Sequence, residues 1–361
     1  MLEKFIDDIN GNKSHRHLLF LLLTLITIFL NGYHFGSFDH VFHITFLKKL
    51  ADPSLYPNDP FLLVKDFTFS YFWQLFLPFY KIGILEPILF IVHIAATYGT
   101  FWMFWELSQQ LFKNKTTNVL VIIALIFPHL GFPGFQIIEF ELLNRTFVLP
   151  FLLAGILFYL KRRYVLSLLI IGVMFNFHVI YSFFVLLMFL FDLLMRIKQL
   201  EWKQLIPAGL VFLASASPVL YLRLTTGSGI DLTLRPDILD AMSRSLLNTV
   251  YYPIGSGLPS IFNLLSGIAT IAFLILGITQ KPVNPHNREV KHFSIAIGIV
   301  IVVATMASYF FPITIILQFQ ALRIGVFFLY FGYLYFANFI VRSYQSKELS
   351  GYKFSIIAIA F

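Results

Sequence analysis

The sequence predicts an all-α, polytopic integral membrane protein with about ten transmembrane helices. Apolar residues make up 58% of the 361 positions and charged residues only 12%, which leaves too few polar side chains to cover a water-soluble domain. The 44 phenylalanines and 17 tyrosines suit lipid-facing helices with aromatic residues near the headgroups. The composition therefore excludes a soluble enzyme.

Ten apolar runs approach the roughly 20 residues that a helix needs to cross a bilayer. In order, they cover residues 17–35, 84–107, 117–133, 144–160, 164–179, 180–195, 204–222, 259–279, 293–312 and 322–341. Two of the closely spaced runs from the fourth to the sixth could form a tight hairpin with its turn near 176–178. We treat 1–361 as one transmembrane domain. The final apolar run, 354–361, has no polar flank, which predicts a chain truncated within a further helix.

Positive charges predict the orientation of these helices, because cytoplasmic loops retain lysine and arginine. Of the 26 basic residues, 17 fall on one predicted face: Lys4, Lys13, Arg16, Lys113, Lys115, Lys161, Arg162, Arg163, Arg196, Lys198, Lys203, Lys281, Arg288, Lys291, Arg342, Lys347 and Lys353. This places the N-terminus in the cytoplasm. The basic excess is then a topological signal, and no nucleic-acid partner is needed.

The opposite, external face receives the longest connecting segments, about 35–83 and 223–258. Long irregular loops carry binding and catalytic groups more often than short basic turns do, so we expect the chemistry on this face. Within the first loop, 66–80 is aromatic but too short to span, and we predict interfacial helices there. The chain has no cysteine, which rules out a disulfide or a thiol nucleophile.

The first loop offers two candidate catalytic residues, Asp39 and Asp59. If 38–43 is helical, Asp39 and His43 are four residues apart and share a face, so a carboxylate could orient an imidazole or help to hold a divalent cation. Asp39 could also act as a general base toward an acceptor hydroxyl. Prolines flank the Asn-Asp pair at 57–60 and fix a turn that could present Asp59 back toward Asp39. The simpler alternatives are a helix-capping aspartate and an ordinary turn.

The second external loop, a shorter segment at about 131–144, carries Glu139 and Glu141 and is followed by Arg145 at the start of the fourth run. Glu141 and Arg145 have i,i+4 spacing, for which an ordinary helical ion pair is the simplest interpretation. Alternatively, Glu139 or Glu141 completes a cation site with Asp39, while Arg145 binds a phosphate with its planar donor fork. Charged groups close to the bilayer are costly unless they have a function.

Further candidate substrate-binding residues are scattered along the chain: His43, His178, Arg235 and Arg323. His178 lies between two apolar runs, where a buried structural histidine is the alternative. Arg323 begins the tenth run and could bind a lipid phosphate or extend to the headgroups. No Walker A loop, dinucleotide glycine fingerprint or zinc-protease motif occurs.

This order of elements resembles the GT-C superfamily of polytopic glycosyltransferases, including its bacterial members. The resemblance implies transfer of a sugar from a polyprenyl-phosphate carrier to an acceptor outside a bacterial plasma membrane. By the same resemblance Asp39 matches the first-loop catalytic acid, and Glu139 or Glu141 matches the second-loop acidic position. Arg323 matches a late lipid-phosphate contact. A divalent cation, Mg²⁺ or Mn²⁺, is an expected cofactor.

The sequence departs from that family at two points and leaves other functions open. Many members pair acidic residues in the first loop, whereas His40 follows Asp39 here, and many carry a soluble external domain that this sequence does not include. One alternative function is a transporter or lipid flippase. Another is a non-catalytic component of a system that assembles surface polysaccharide.

Overall fold

The structure is a computed structural model that describes residues 2–59, 70–131, 135–226, 258–281, 283–311, 313, 316–317 and 319–347. All regular elements within these ranges are helical, as the sequence predicts. The α-helices are α1 (Leu2–Gly11), α2 (Lys13–Asn31), α3 (Asp39–Ala51), α4 (Leu77–Lys81), α5 (Leu85–Phe112), α6 (Lys115–Ala124), α7 (Asn144–Leu160), α8 (Tyr164–Phe175), α9 (Val179–Met195), α10 (Trp202–Thr226), α11 (Leu258–Thr279), α12 (Asn287–Tyr309) and α13 (Val326–Gln345).

Among the described residues, five helices are long and apolar enough to cross a membrane: α2, α5, α10, α12, and α13 with the 3₁₀ turn before it. Shorter apolar helices, α6 to α9 and α11, occupy the other five predicted positions. The chain therefore carries helices that can span a bilayer. That all ten of them cross it stays a prediction.

The helix boundaries follow local capping chemistry. Asn12 and Asn114 each accept hydrogen bonds from two backbone N–H groups at the starts of α2 and α6. The predicted turn at 176–178 does separate α8 from α9, and the Asn176 side chain fixes it against α10 through Ser215 O and Val219 N. Helix α1 was not predicted, because it is an amphipathic helix whose polar residues leave no apolar run.

Helix α13 lies at the centre of the helical bundle. Of its most apolar stretch, 89% is buried inside the protein, against 22% for α2, so α13 contacts other helices while α2 faces outward. Glycines allow α11 and α13 to approach closely. A Cβ atom at Gly332 would lie 2.6 Å from the backbone oxygen of Thr270, and one at Gly277 would lie 2.6 Å from the Tyr335 Cβ.

Polar contacts between helix ends gather at two opposite faces of the bundle. At the basic face, Lys115 contacts Asp7 at 2.8 Å and Arg162 contacts Glu289 at 2.5 Å. The other end, which we call the loop face, carries 32–59, 70–84 and 135–143, and it is tied together by bonds such as His34 N to Phe140 O at 2.8 Å. Successive helices from α5 to α9 alternate in direction between these faces.

Candidate functional site

The candidate site begins at the N-terminus of α3, on the loop face. The stretch predicted to be helical is helical, so Asp39 and His43 share a face of α3. The backbone enters this helix through Phe38, whose φ of 45° is in the left-handed region that a phenylalanine rarely adopts. The Asp39 side chain keeps 45% of its surface exposed. The backbone at the start of α3 therefore fixes the position of Asp39, while its side chain remains partly exposed.

Arg145 joins the first and second loops. Its Nη1 donates to Asp39 Oδ2 at 3.0 Å, and its Nε donates to Glu139 Oε1 at 2.6 Å. The predicted i,i+4 pair between Glu141 and Arg145 is wrong, because α7 begins at Asn144 and leaves Glu141 outside the helix. Arg145 instead links two carboxylates 106 and 6 residues away in the sequence.

The environment of the cluster shifts the pKa values of Asp39 and Glu141 in opposite directions. Burial works against a charge on Asp39, but the neighbouring Arg145 guanidinium outweighs it, so the pKa of Asp39 is lowered. Glu141 is 5% exposed. Burial, followed by the negative charges of Asp39 and Glu139, raises its pKa to about 7. At neutral pH Asp39 stays ionised, whereas Glu141 exchanges its proton.

Arg323 is the second cation of the site. Its guanidinium carbon lies 5.2 Å from the centroid of the Phe135 ring, and that of Arg145 lies 5.0 Å from the same centroid. The two guanidinium groups are therefore no more than about 10 Å apart. Unlike Arg145, Arg323 has no carboxylate within salt-bridge distance in the described part of the chain, and its buried Nε has no hydrogen-bond partner there. Among the residues that the structure describes, this arrangement leaves one cation available to an anion.

Three histidines lie close to the cluster, and two of them have structural bonds. His40 is completely buried; its Nδ1 accepts from Gly36 N at 3.3 Å and its Nε2 donates to Leu142 O at 2.7 Å. His178 caps α9, because its Nδ1 accepts a hydrogen bond from Tyr181 N at 3.1 Å. This bond gives His178 a structural role, and its predicted contact with substrate stays a prediction. His43 stacks on Trp73 at 5.2 Å, and burial lowers its pKa to about 4.

Two other predicted residues lie outside this cluster. Asp59 follows the far end of α3, where its backbone N–H bonds to Tyr56 O and Lys49 bonds to that same oxygen. Helix α3 is about 20 Å long, so the structure does not turn Asp59 back toward Asp39. Arg235 lies outside the described residues.

The carboxylates do not fit a divalent-cation site in the arrangement that the structure shows. Asp39 and Glu139 both bond to the Arg145 guanidinium, which stands where a shared cation would have to lie. The described residues also contain no group of three or more metal-ligating side chains. Binding of the predicted Mg²⁺ or Mn²⁺ stays a prediction.

Two polar residues near the site escaped prediction, Tyr33 and His93. Their rings lie 5.2 Å apart, and the Tyr33 hydroxyl and the His93 Nδ1 are both buried without a hydrogen-bond partner among the described residues. Each is a single polar side chain within or beside an apolar run. Nothing in their local sequence distinguishes them from ordinary packing residues.

Comparison of the chain with protein-family models, with curated proteins and with solved structures finds no match. The chemistry of this site therefore rests on its own geometry.

Proposed function

We propose that the chain is a GT-C-like membrane glycosyltransferase that moves a sugar from a polyprenyl-phosphate carrier to an acceptor on the external face. The observation that carries this proposal is that one site holds two different charges: an ionised Asp39 whose side chain is 45% exposed, and an Arg323 that has no carboxylate partner in the described residues. Glycosyl transfer from a lipid phosphate needs both charges, because positive charge develops on the sugar and negative charge on the leaving phosphate.

Each charged residue then has a separate role. The Arg323 guanidinium binds the phosphate of the lipid carrier. Arg145 holds Asp39 and Glu139 in place, so the Asp39 carboxylate faces the anomeric carbon as that carbon becomes positive. Because the pKa of Asp39 is lowered, it serves this role better as a fixed charge than as the general base that the sequence suggested.

The location of the site near the ends of apolar helices suits a lipid-linked substrate. Ten apolar helices occur at the predicted positions, and the loop face is opposite the predicted cytoplasmic charges. If the basic face is cytoplasmic, as the positive-inside rule predicts, the N-terminus is cytoplasmic and the loop face lies outside. A membrane-embedded carrier could then place its phosphate at headgroup depth beside Arg323.

The absence of cysteine from the sequence allows a direct test of this orientation. Ser54→Cys places a thiol at an exposed position on the loop face, and Ser346→Cys places one at an exposed position on the basic face. In intact cells, a membrane-impermeant maleimide should label only the first variant. Labelling of only the second would reverse the orientation and contradict an external site.

The transfer reaction is tested with a panel of polyprenyl-phosphate sugars labelled on the sugar, incubated with proteoliposomes and a cell-envelope extract as acceptor. Asp39→Asn should lower transfer about 10³-fold while the protein stays folded. Asp52→Asn, an exposed carboxylate after the opposite end of α3, is the matched control and should keep the wild-type rate. Full transfer by Asp39→Asn would overturn the proposal. Uptake of the lipid-linked sugar without a covalent product would instead support the transporter alternative.

A further inference from the structure

We propose that Glu141 accepts the proton of the acceptor hydroxyl, and that a buried polar pocket formed by Glu141, Tyr33 and His93 binds that hydroxyl. The inference rests on the proposed function and assigns to it a second carboxyl group and an acceptor site. It divides the chemistry between Asp39, which stays charged, and Glu141, which gains and loses a proton.

The surroundings of Glu141 are those of a proton acceptor rather than of an ion pair. Its Oε2 is buried without a hydrogen-bond partner in the described residues, and its nearest basic group, His40 Nδ1, is 4.0 Å away. The Asp39 backbone N–H, at the N-terminus of α3, helps to stabilise the Glu141 carboxylate. The carboxyl group is therefore anchored by the backbone while one oxygen remains available.

Tyr33 and His93 provide the other polar surfaces of the pocket. Tyr33 lies between α2 and α3, His93 lies in α5, and Glu141 lies before α7, so three separate parts of the chain contribute. The Tyr33 hydroxyl and the His93 Nδ1 are buried without partners among the described residues, as is Glu141 Oε2. Buried polar atoms normally have partners. The rings of Tyr33 and His93 lie 5.2 Å apart, and Glu141 is close enough to Tyr33 to act on it electrostatically. A sugar or other polyhydroxyl acceptor bound beside them would supply the partners that these three atoms lack.

The charged residues around Glu141 lie in α3, in the second loop and in α7, and they affect its ionisation in different directions. Asp39 in α3 and Glu139 in the second loop oppose its ionisation, Arg145 in α7 favours it, and Tyr33 is a neutral neighbour. His40 is neutral in this geometry, because its Nδ1 accepts one hydrogen bond and its Nε2 donates another. Together with burial, these groups bring the pKa of Glu141 to about 7. A base with that pKa exchanges a proton efficiently near neutral pH.

The transfer step then balances in atoms and charge. The acceptor oxygen forms a bond to the anomeric carbon, and the bond from that carbon to the phosphate oxygen breaks. Its electron pair leaves with the phosphate, beside Arg323, and the hydroxyl proton moves to Glu141 Oε2. Asp39 remains ionised throughout. Two carboxyl groups with opposite proton affinities are the usual arrangement for such a division of roles.

Infrared titration of the purified full chain tests the proton site without any substrate. A protonated carboxyl band should disappear as the pH rises through about 7, and it should be missing in Glu141→Gln. Glu86→Gln is the matched control, because Glu86 is an exposed carboxylate near Tyr33, and it should keep the band. A band that persists in Glu141→Gln, or no titrating band between about pH 5 and 9, would overturn the assignment.

Kinetics test the pocket and separate this inference from the proposed function. Glu141→Gln should lower kcat about 10²- to 10⁴-fold and remove the fall of kcat at acidic pH, because a general base is inactive once protonated; the donor KM should be unchanged. Tyr33→Phe removes only the unpartnered hydroxyl. It should raise the acceptor KM about tenfold and leave the donor KM unchanged. An unchanged acceptor KM would contradict the pocket. Full transfer by Glu141→Gln overturns the role of Glu141 alone. A titrating Glu141 in a protein that transfers no sugar overturns the proposed function alone.

Discussion

Replacement of Arg145 by methionine tests the account of the cluster in energetic terms. The substitution keeps an apolar stem of similar length but removes the cation between Asp39 and Glu139. The Glu139 side chain is 15% exposed, so it would become a largely buried, unpaired carboxylate, which costs about 3–5 kcal/mol. Asp39 is 45% exposed, and its lost pair adds less than about 1 kcal/mol.

A double-mutant cycle separates this charge effect from lost packing. In Arg145→Met/Glu139→Gln no charge is left unpaired at Glu139, so the double variant should be at least about 2 kcal/mol more stable than Arg145→Met alone. The free energy of unfolding is measured by titration with sodium dodecyl sulfate in mixed micelles. If Arg145→Met costs less than about 1 kcal/mol, or if Glu139→Gln destabilises it further, the proposed ion-pair arrangement is refuted.

Two further predictions concern Glu141 and the centre of the bundle. The pKa of Glu141 is about 7 in the folded protein and lower in the unfolded chain, so the folded state binds more protons between about pH 4.5 and 7. As the pH rises through that range, the free energy of unfolding should therefore fall by about 3 kcal/mol relative to that of Glu141→Gln. Parallel pH profiles of unfolding for the two proteins would contradict this. Gly332→Ala should destabilise the protein by about 1–3 kcal/mol, because the new Cβ would meet the Thr270 backbone. Gly298→Ala, where nothing lies within 4 Å, should be neutral or slightly stabilising when both variants are unfolded by titration with sodium dodecyl sulfate.

The helices could be predicted from the sequence because their signals are local. The run 144–160 coincides with α7, and the hairpin turn at 176–178 lies where Asn176 ends α8. Apolar length and basic flanks were sufficient for these elements. Helix α1 was missed because a short amphipathic helix has no long apolar run.

The site was predicted only in part, because its contacts join distant segments. Residue type and position pointed to Asp39, Glu139, Glu141, Arg145 and Arg323, all of which the structure brings to one face. Spacing could not reveal that Arg145 bonds to Asp39, 106 residues away. The wrong pairing of Glu141 with Arg145 came from reading their i,i+4 spacing as helical, although the backbone before Asn144 is not in the helix.

The proposed acceptor pocket shows the same limit more clearly. Its polar atoms are recognisable only by burial and by the partners they lack, and both depend on how α5 packs beside the first and second loops. Tyr33 lies at the end of an apolar run and His93 lies within one, and nothing in their local sequence sets them apart. Their relation to Glu141 exists only in three dimensions.

Binding of a lipid phosphate tests the central claim most directly, because every proposed step begins with it. The affinity of the purified protein for a polyprenyl monophosphate should fall about 10- to 100-fold in Arg323→Met, while Lys81→Met, which removes a cation from the same face, should change it little. The uncharged polyprenol should bind both the wild-type protein and Arg323→Met weakly and alike. Equal affinity of wild type and Arg323→Met for the monophosphate would contradict the account.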